Sequence, residues 1–141
     1  MKKTSLFWWI PVLIWAGLIF HLSGMTIPPR EPLFPYEDKV AHLIEYGGLG
    51  FFCLLALRLD RHLSWFGAAV GAMVLTSLYG ISDEWHQAYV PGREVDVRDW
   101  MADTAGGCLA FPLAKIGAWV ASRNLREKTQ TPHPRPPKYK P

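Results

Sequence analysis

Hydrophobic residues fall in four blocks, Leu6 to Ser23, Val40 to Leu59, Trp65 to Ser82 and Trp100 to Ala121, parted by short polar stretches. A hydrocarbon layer about 30 Å thick takes roughly 20 helical residues, so the pattern predicts an all-α bundle of four membrane-spanning helices. Pro11 lies near the start of the first block, where a missing backbone N–H is best tolerated. Lys2 and Lys3 ahead of it also suit a signal peptide. However, Trp8, Trp9 and Trp15 are bulky, and the run His21-Leu22-Ser23-Gly24-Met25 is a poor cleavage site, so the block is read as a retained helix. After Arg126, prolines alternate with Lys and Arg; residues 127–141 are therefore expected to be a disordered basic tail behind a helical domain of residues 1–126.

Half of the 141 residues are hydrophobic and 19% are charged, which excludes a disordered or nucleic-acid-binding chain. Cys53 and Cys108 both lie inside apolar blocks and are expected to be free, buried thiols. The formal charge of +3 hides an asymmetry. Lys2, Lys3, Arg58, Arg61, Lys115 and the cations after Ala121 fall on one side of a four-span topology, with few acids. Most of the acids fall on the other. Lys and Arg in short loops favour the cytoplasm, so the chain is expected in the bacterial cytoplasmic membrane with both termini cytoplasmic and the acidic end outside.

Polar residues of the second to fourth helices gather at that acidic end. Asp38, His42 and Glu45 are spaced i, i+4, i+7 and share one helix face; so do Glu84 and Gln87, and then Asp99, Asp103 and Gly106. The intervening loop supplies Arg93 and Asp96. An ionised group at a helix centre in the membrane costs about 2.5–3.5 kcal/mol, so these side chains should face protein or a wet cavity. The candidate functional cluster is Glu84, Arg93, Asp99, Asp103 and His42, with Asp38, Lys39, Glu45, Gln87 and Asp96 as binding residues.

Each member also has a plain structural explanation. First-turn acids are favoured by the helix dipole, a lone histidine is usually hydrogen-bonded and structural, and Arg93 has Glu94 and Asp96 within reach for a surface ion pair. Two carboxylates at i, i+4 such as Asp99 and Asp103 nevertheless repel unless a proton, a cation or an arginine lies between them. Arg93 is expected to be that hub. His21 and His86 have no partner at useful spacing and are read as interfacial. His42, Glu45, Glu84 and an aspartate are suitable metal-ligand types, but no dense motif such as H-E-x-x-H occurs; no metal and no cofactor are expected.

Gly67 and Gly71 form a GxxxG pattern facing a small-residue ridge of Ala102, Gly106 and Ala110. Close packing within one bundle is the favoured reading, with a homodimer through Gly67 and Gly71 as the other. Tyr46, Trp85, Tyr89 and Trp100 are expected to form an aromatic belt at the outer interface.

These residues resemble the VanZ-like membrane proteins, some of which are associated with resistance to the glycopeptide teicoplanin. The resemblance spans most of the chain: Phe20, Leu22 and Ser23 end the first helix, and Asp38-Lys39 with His42 and Tyr46 open the second. It is densest from Ser82 to Gly107, where Glu84, Gln87, Pro91, Gly92, Arg93, Asp99 and Gly106 match E-x-x-Q, P-G-R and D-x-x-x-N-x-x-G elements. Asp103 stands where the family pattern has asparagine, which adds a negative charge. The resemblance implies a four-helix envelope protein with its polar motif at one membrane face. Labels in the family that suggest phosphate or acyl transfer find no glycine loop followed by Lys-Ser or Lys-Thr in this chain.

Two function classes follow. The first binds or processes an envelope lipid or glycolipid head group at the outer leaflet and affects glycopeptide susceptibility; as an enzyme it would use a carboxylate as general base and Arg93 as anion stabiliser. The second is a non-catalytic channel, transporter subunit or assembly factor, in which the acids and His42 bind a cation or relay protons. No nucleophile stands beside a base at a known spacing, so the sequence leaves both open.

Overall fold

A computed structural model describes residues 6–26 and 31–129. A 3-10 turn, Leu6–Trp9, leads into α1, Ile10–Ser23; α2, Glu37–Leu59, α3, Trp65–Gln87, and α4, Val97–Thr129, follow with short connections. All four are long and apolar enough to cross a membrane. Large apolar side chains such as Leu13, Ile14, Phe66, Leu78, Met101 and Ile116 point outwards. In water such a surface would drive aggregation; in a bilayer it meets acyl chains.

Pro11 occupies the first turn of α1, where its missing N–H costs nothing. Ser64 caps α3 by accepting the Gly67 N–H at 3.0 Å, and the Asp96 carboxylate accepts the Arg98 N–H at 2.9 Å at the start of α4. Tyr36, just before α2, takes a left-handed backbone (φ 64°). The helices run longer than their apolar blocks. α2 begins three residues before Val40, α3 continues five beyond Ser82, and α4 reaches from Val97 to Thr129, passing through Pro112. α4 thus runs past residue 127, where the basic tail is expected to begin; residues 130–141 lie outside the described residues.

α2, α3 and α4 form the core, and α1 packs on the outside against α2 and α3. The α2–α4 seam is built on glycine. A Cβ on Gly50 would come within 2.8 Å of the Gly107 Cα, and one on Gly106 within 2.6 Å of the Leu43 carbonyl oxygen. Without side chains at these positions the two backbones touch, which is how helices gain van der Waals contact where no hydrophobic force drives them together. Gly71 of the GxxxG pattern is filled from within the chain by Leu57, and Gly67 by its own cap residue Ser64. α1 is keyed to α2 by Trp15, whose indole fills the space over Gly48 and donates to the Glu45 carbonyl at 2.8 Å. At the opposite end, the Trp9 indole and the Arg61 guanidinium both reach the buried carboxylate of Asp60, at 3.0 and 3.2 Å.

Candidate functional site

The helices alternate in direction, so the C-termini of α1 and α3 and the N-termini of α2 and α4 meet at one end. The polar residues predicted to gather are brought together there. Asp99 and Asp103 project from the first turns of α4, His42 from the second turn of α2, and Glu84 and Gln87 from the last turn of α3. His42, Glu84, Gln87, Asp99 and Asp103 are all buried.

Two adjoining networks organise them. In the first, Lys39 at the start of α2 places its ammonium 2.8 Å from Asp38 Oδ2, 2.6 Å from Asp96 Oδ2 and 2.8 Å from Asp99 Oδ1. Lys39 thereby ties α2 to the loop and to α4. Its charge, together with the Arg98 backbone N–H, holds the Asp96 carboxyl below the usual carboxylate range. In the second, His42 Nδ1 lies 2.8 Å from Asp103 Oδ1, with Asp103 fully covered. The Tyr46 ring stacks near the imidazole, centroids 6.2 Å apart. Glu84 connects the two networks by accepting the Asp96 N–H through Oε2 at 3.0 Å.

Arg93 is not the expected hub. Its guanidinium donates to the carbonyls of Leu22, at 2.9 Å, and Met25, at 3.3 Å, and no carboxylate among the described residues pairs with it. Both carbonyls lie at the C-terminal end of α1, the Leu22 oxygen also accepting the Met25 N–H at 3.2 Å, and the helix dipole favours a cation there. Arg93 is the clasp that fastens α1 to the loop after α3. The bridging of carboxylates falls to Lys39, whose position at the start of α2 faces the start of α4.

Other expectations are corrected as well. Tyr46 belongs to the core, fully buried, and Trp100 turns inwards to donate to Ser77, whereas Trp85 and Tyr89 do face outwards as belt residues should. Cys53 and Cys108 are free, but Cys108 lies on the exposed surface. His86 has a partner after all: it stacks on Phe20 at 4.3 Å. Asp83 was not among the candidate site residues. Buried, it accepts the Gln87 amide at 3.0 Å; the i, i+4 spacing of the two was the available signal.

A cleft of ≈ 660 Å³ that His42 lines opens between α1, α2 and α3, bordered by the apolar Leu22, Met25 and Pro32, by Tyr36 and by the polar Glu45, Asp83, Gln87 and Arg93.

A family model described as VanZ/LLP1 matches residues 6–118. The chain belongs to the VanZ/LLP1 family. No curated protein and no solved structure matches it. As a VanZ/LLP1 protein with four candidate spans, it is a multi-pass membrane protein. The match covers all of the site, including the run Ser82 to Gly107 that carried the resemblance.

Proposed function

We propose that this VanZ/LLP1 protein binds, and acts on, an envelope lipid or glycolipid head group at the outer leaflet of a bacterial cytoplasmic membrane, and through it alters glycopeptide (teicoplanin) susceptibility. The cleft, lined by both apolar and hydrogen-bonding residues, carries this reading. Leu22, Met25 and Pro32 suit the glycerol and upper acyl region, while Glu45, Asp83 and Gln87 offer acceptors for hydroxyl donors such as those of a sugar or polyol. Lys39, Asp99 and Asp103 hold the floor through their ion pairs rather than through contact with the ligand. The outer-leaflet assignment rests on the acidic end lying opposite the Lys/Arg-rich end.

The test is lipid retention. Native mass spectrometry of the wild-type chain should show one bound envelope lipid, and Ala41→Trp, which fills the mouth of the cleft without removing a charge, should lose it. In a host where the protein alters glycopeptide susceptibility, Arg93→Ala, Glu84→Gln and Asp99→Asn should each abolish the effect while the protein stays in the membrane. Wild-type susceptibility changes from both Glu84→Gln and Arg93→Ala would overturn the assignment.

A further inference from the structure

His42, Glu84 and Asp103 come from three different helices, and each offers one ligand atom within 4.8 Å of the other two. Two carboxylate oxygens here have no partner. Glu84 Oε1 and Asp103 Oδ2 are buried and accept no hydrogen bond among the described residues, although the residues are only 7% and 0% exposed. No Lys or Arg among the described residues pairs with either group; the nearby ammonium of Lys39 is committed to Asp38, Asp96 and Asp99. A neutral imidazole with two ionised carboxylates leaves two negative charges inside a membrane bundle, an arrangement that is expensive without a counter-charge.

We propose that His42, Glu84 and Asp103 bind a divalent transition-metal ion, Zn²⁺ or Mn²⁺, beneath the cleft. A borderline imidazole nitrogen with two hard carboxylate oxygens is a mixed set that these ions accept, whereas Mg²⁺ and Ca²⁺ prefer oxygen alone. Bond lengths of about 2.0–2.2 Å set the ligand atoms roughly 3–4 Å apart, so small side-chain rotations close the shell. The ion neutralises both carboxylates and gives the unpartnered oxygens a partner. Gly80 makes the space: a Cβ there would lie 2.6 Å from Asp103 Oδ2, so a bare backbone lets that oxygen lie against α3 one turn before Glu84. Three ligands leave coordination positions open towards the cleft that His42 lines. The inference does not depend on the head-group reading, since it concerns the ion alone.

The experiment uses the full chain, purified in detergent and stripped with a chelator, then dialysed against Zn²⁺ alone or Mn²⁺ alone. Elemental analysis should give one retained ion per chain, and the ion should raise the melting temperature. His42→Gln, Glu84→Gln and Asp103→Asn should each weaken retention by more than about tenfold, given that even an outer-shell partner is worth about 10–100-fold. Glu94→Gln, on the exposed loop, should retain the ion as wild type does. A second measurement needs no mutation: the ion should protect the His42 imidazole from acylation in the wild-type chain while the exposed His21 and His62 stay reactive. Retention by the Glu84→Gln/Asp103→Asn double variant equal to wild type, no retained ion, or an unprotected His42 would each overturn the site. None of these results bears on lipid retention, which is read separately with Ala41→Trp.

Discussion

Lys39 reaches three carboxylates with one ammonium, and removing it leaves Asp38, Asp96 and Asp99 facing one another. Lys39→Met should destabilise the chain in detergent by about 1–3 kcal/mol, between the ranges for exposed and buried ion pairs, as measured by thermal or denaturant unfolding. The same contact makes a prediction about acid. Asp96 is held below its ordinary range in the folded chain, whereas an unfolded aspartate ionises near pH ~3.9. The depressed folded value means that ionised Asp96 favours the folded state: the contribution is complete above about pH 4 and is lost as pH falls through the folded value. Wild type should thus lose melting temperature below about pH 4 more steeply than Asp96→Asn, and equal slopes would remove Lys39 from that role. Asp103→Asn separates two properties of one residue. The amide oxygen still accepts from His42, so the fold survives, but the charge that would bind an ion is gone.

At the scale of the helix, α4 is held by the absence of side chains. Gly106→Ala would push a methyl group against the backbone of Leu43 and Gly47, and overpacking of this kind costs about 1–3 kcal/mol. Gly117→Ala, on the same helix with nothing within 4 Å, should be neutral or stabilising by roughly 0.5–1 kcal/mol. Unfolding of the two variants side by side tests whether the seam, rather than glycine in a helix as such, sets stability. The Gly106–Ala110 ridge was legible because small residues recur at a turn's spacing. Helix ends were not: an apolar window stops at Ser82, yet the helix continues through Asp83, Glu84 and Gln87 because their polar groups are buried inside the bundle rather than turned to water. The same blindness to neighbours misassigned Arg93. Spacing placed it near Glu94 and Asp96, and only the approach of α1 shows that its donors go to Leu22 and Met25. Tyr46, one turn beyond His42, was assigned to the outer belt because spacing could not say that its side of the helix is the core. Convergence of His42 with Glu84 and Asp103 was expected from depth, helical periodicity and charge, but which atoms meet was not legible, since the set is assembled by three helices and leaves no local motif.

For the whole chain, four apolar exteriors around an acidic end set against a basic end predict a fixed orientation. Reporters fused at Arg61 and at Pro91 should give opposite signals, with Arg61 cytoplasmic; a cytoplasmic Pro91 would move the cleft to the inner leaflet. Asp103, the most completely covered of the buried acids, also dictates an order of manufacture. It leaves the ribosome after α2 and α3, whose His42 and Gly80 lie against it, while those helices in turn wait with His42 and Glu84 uncovered until α4 arrives. A nascent chain ending before Val95 therefore displays unpaired polar groups to lipid, the kind of surface that membrane quality-control proteases and insertion chaperones read. Such a fragment should be turned over faster than the full chain in pulse-chase experiments, and supplying residues 95–141 as a separate polypeptide should extend its lifetime.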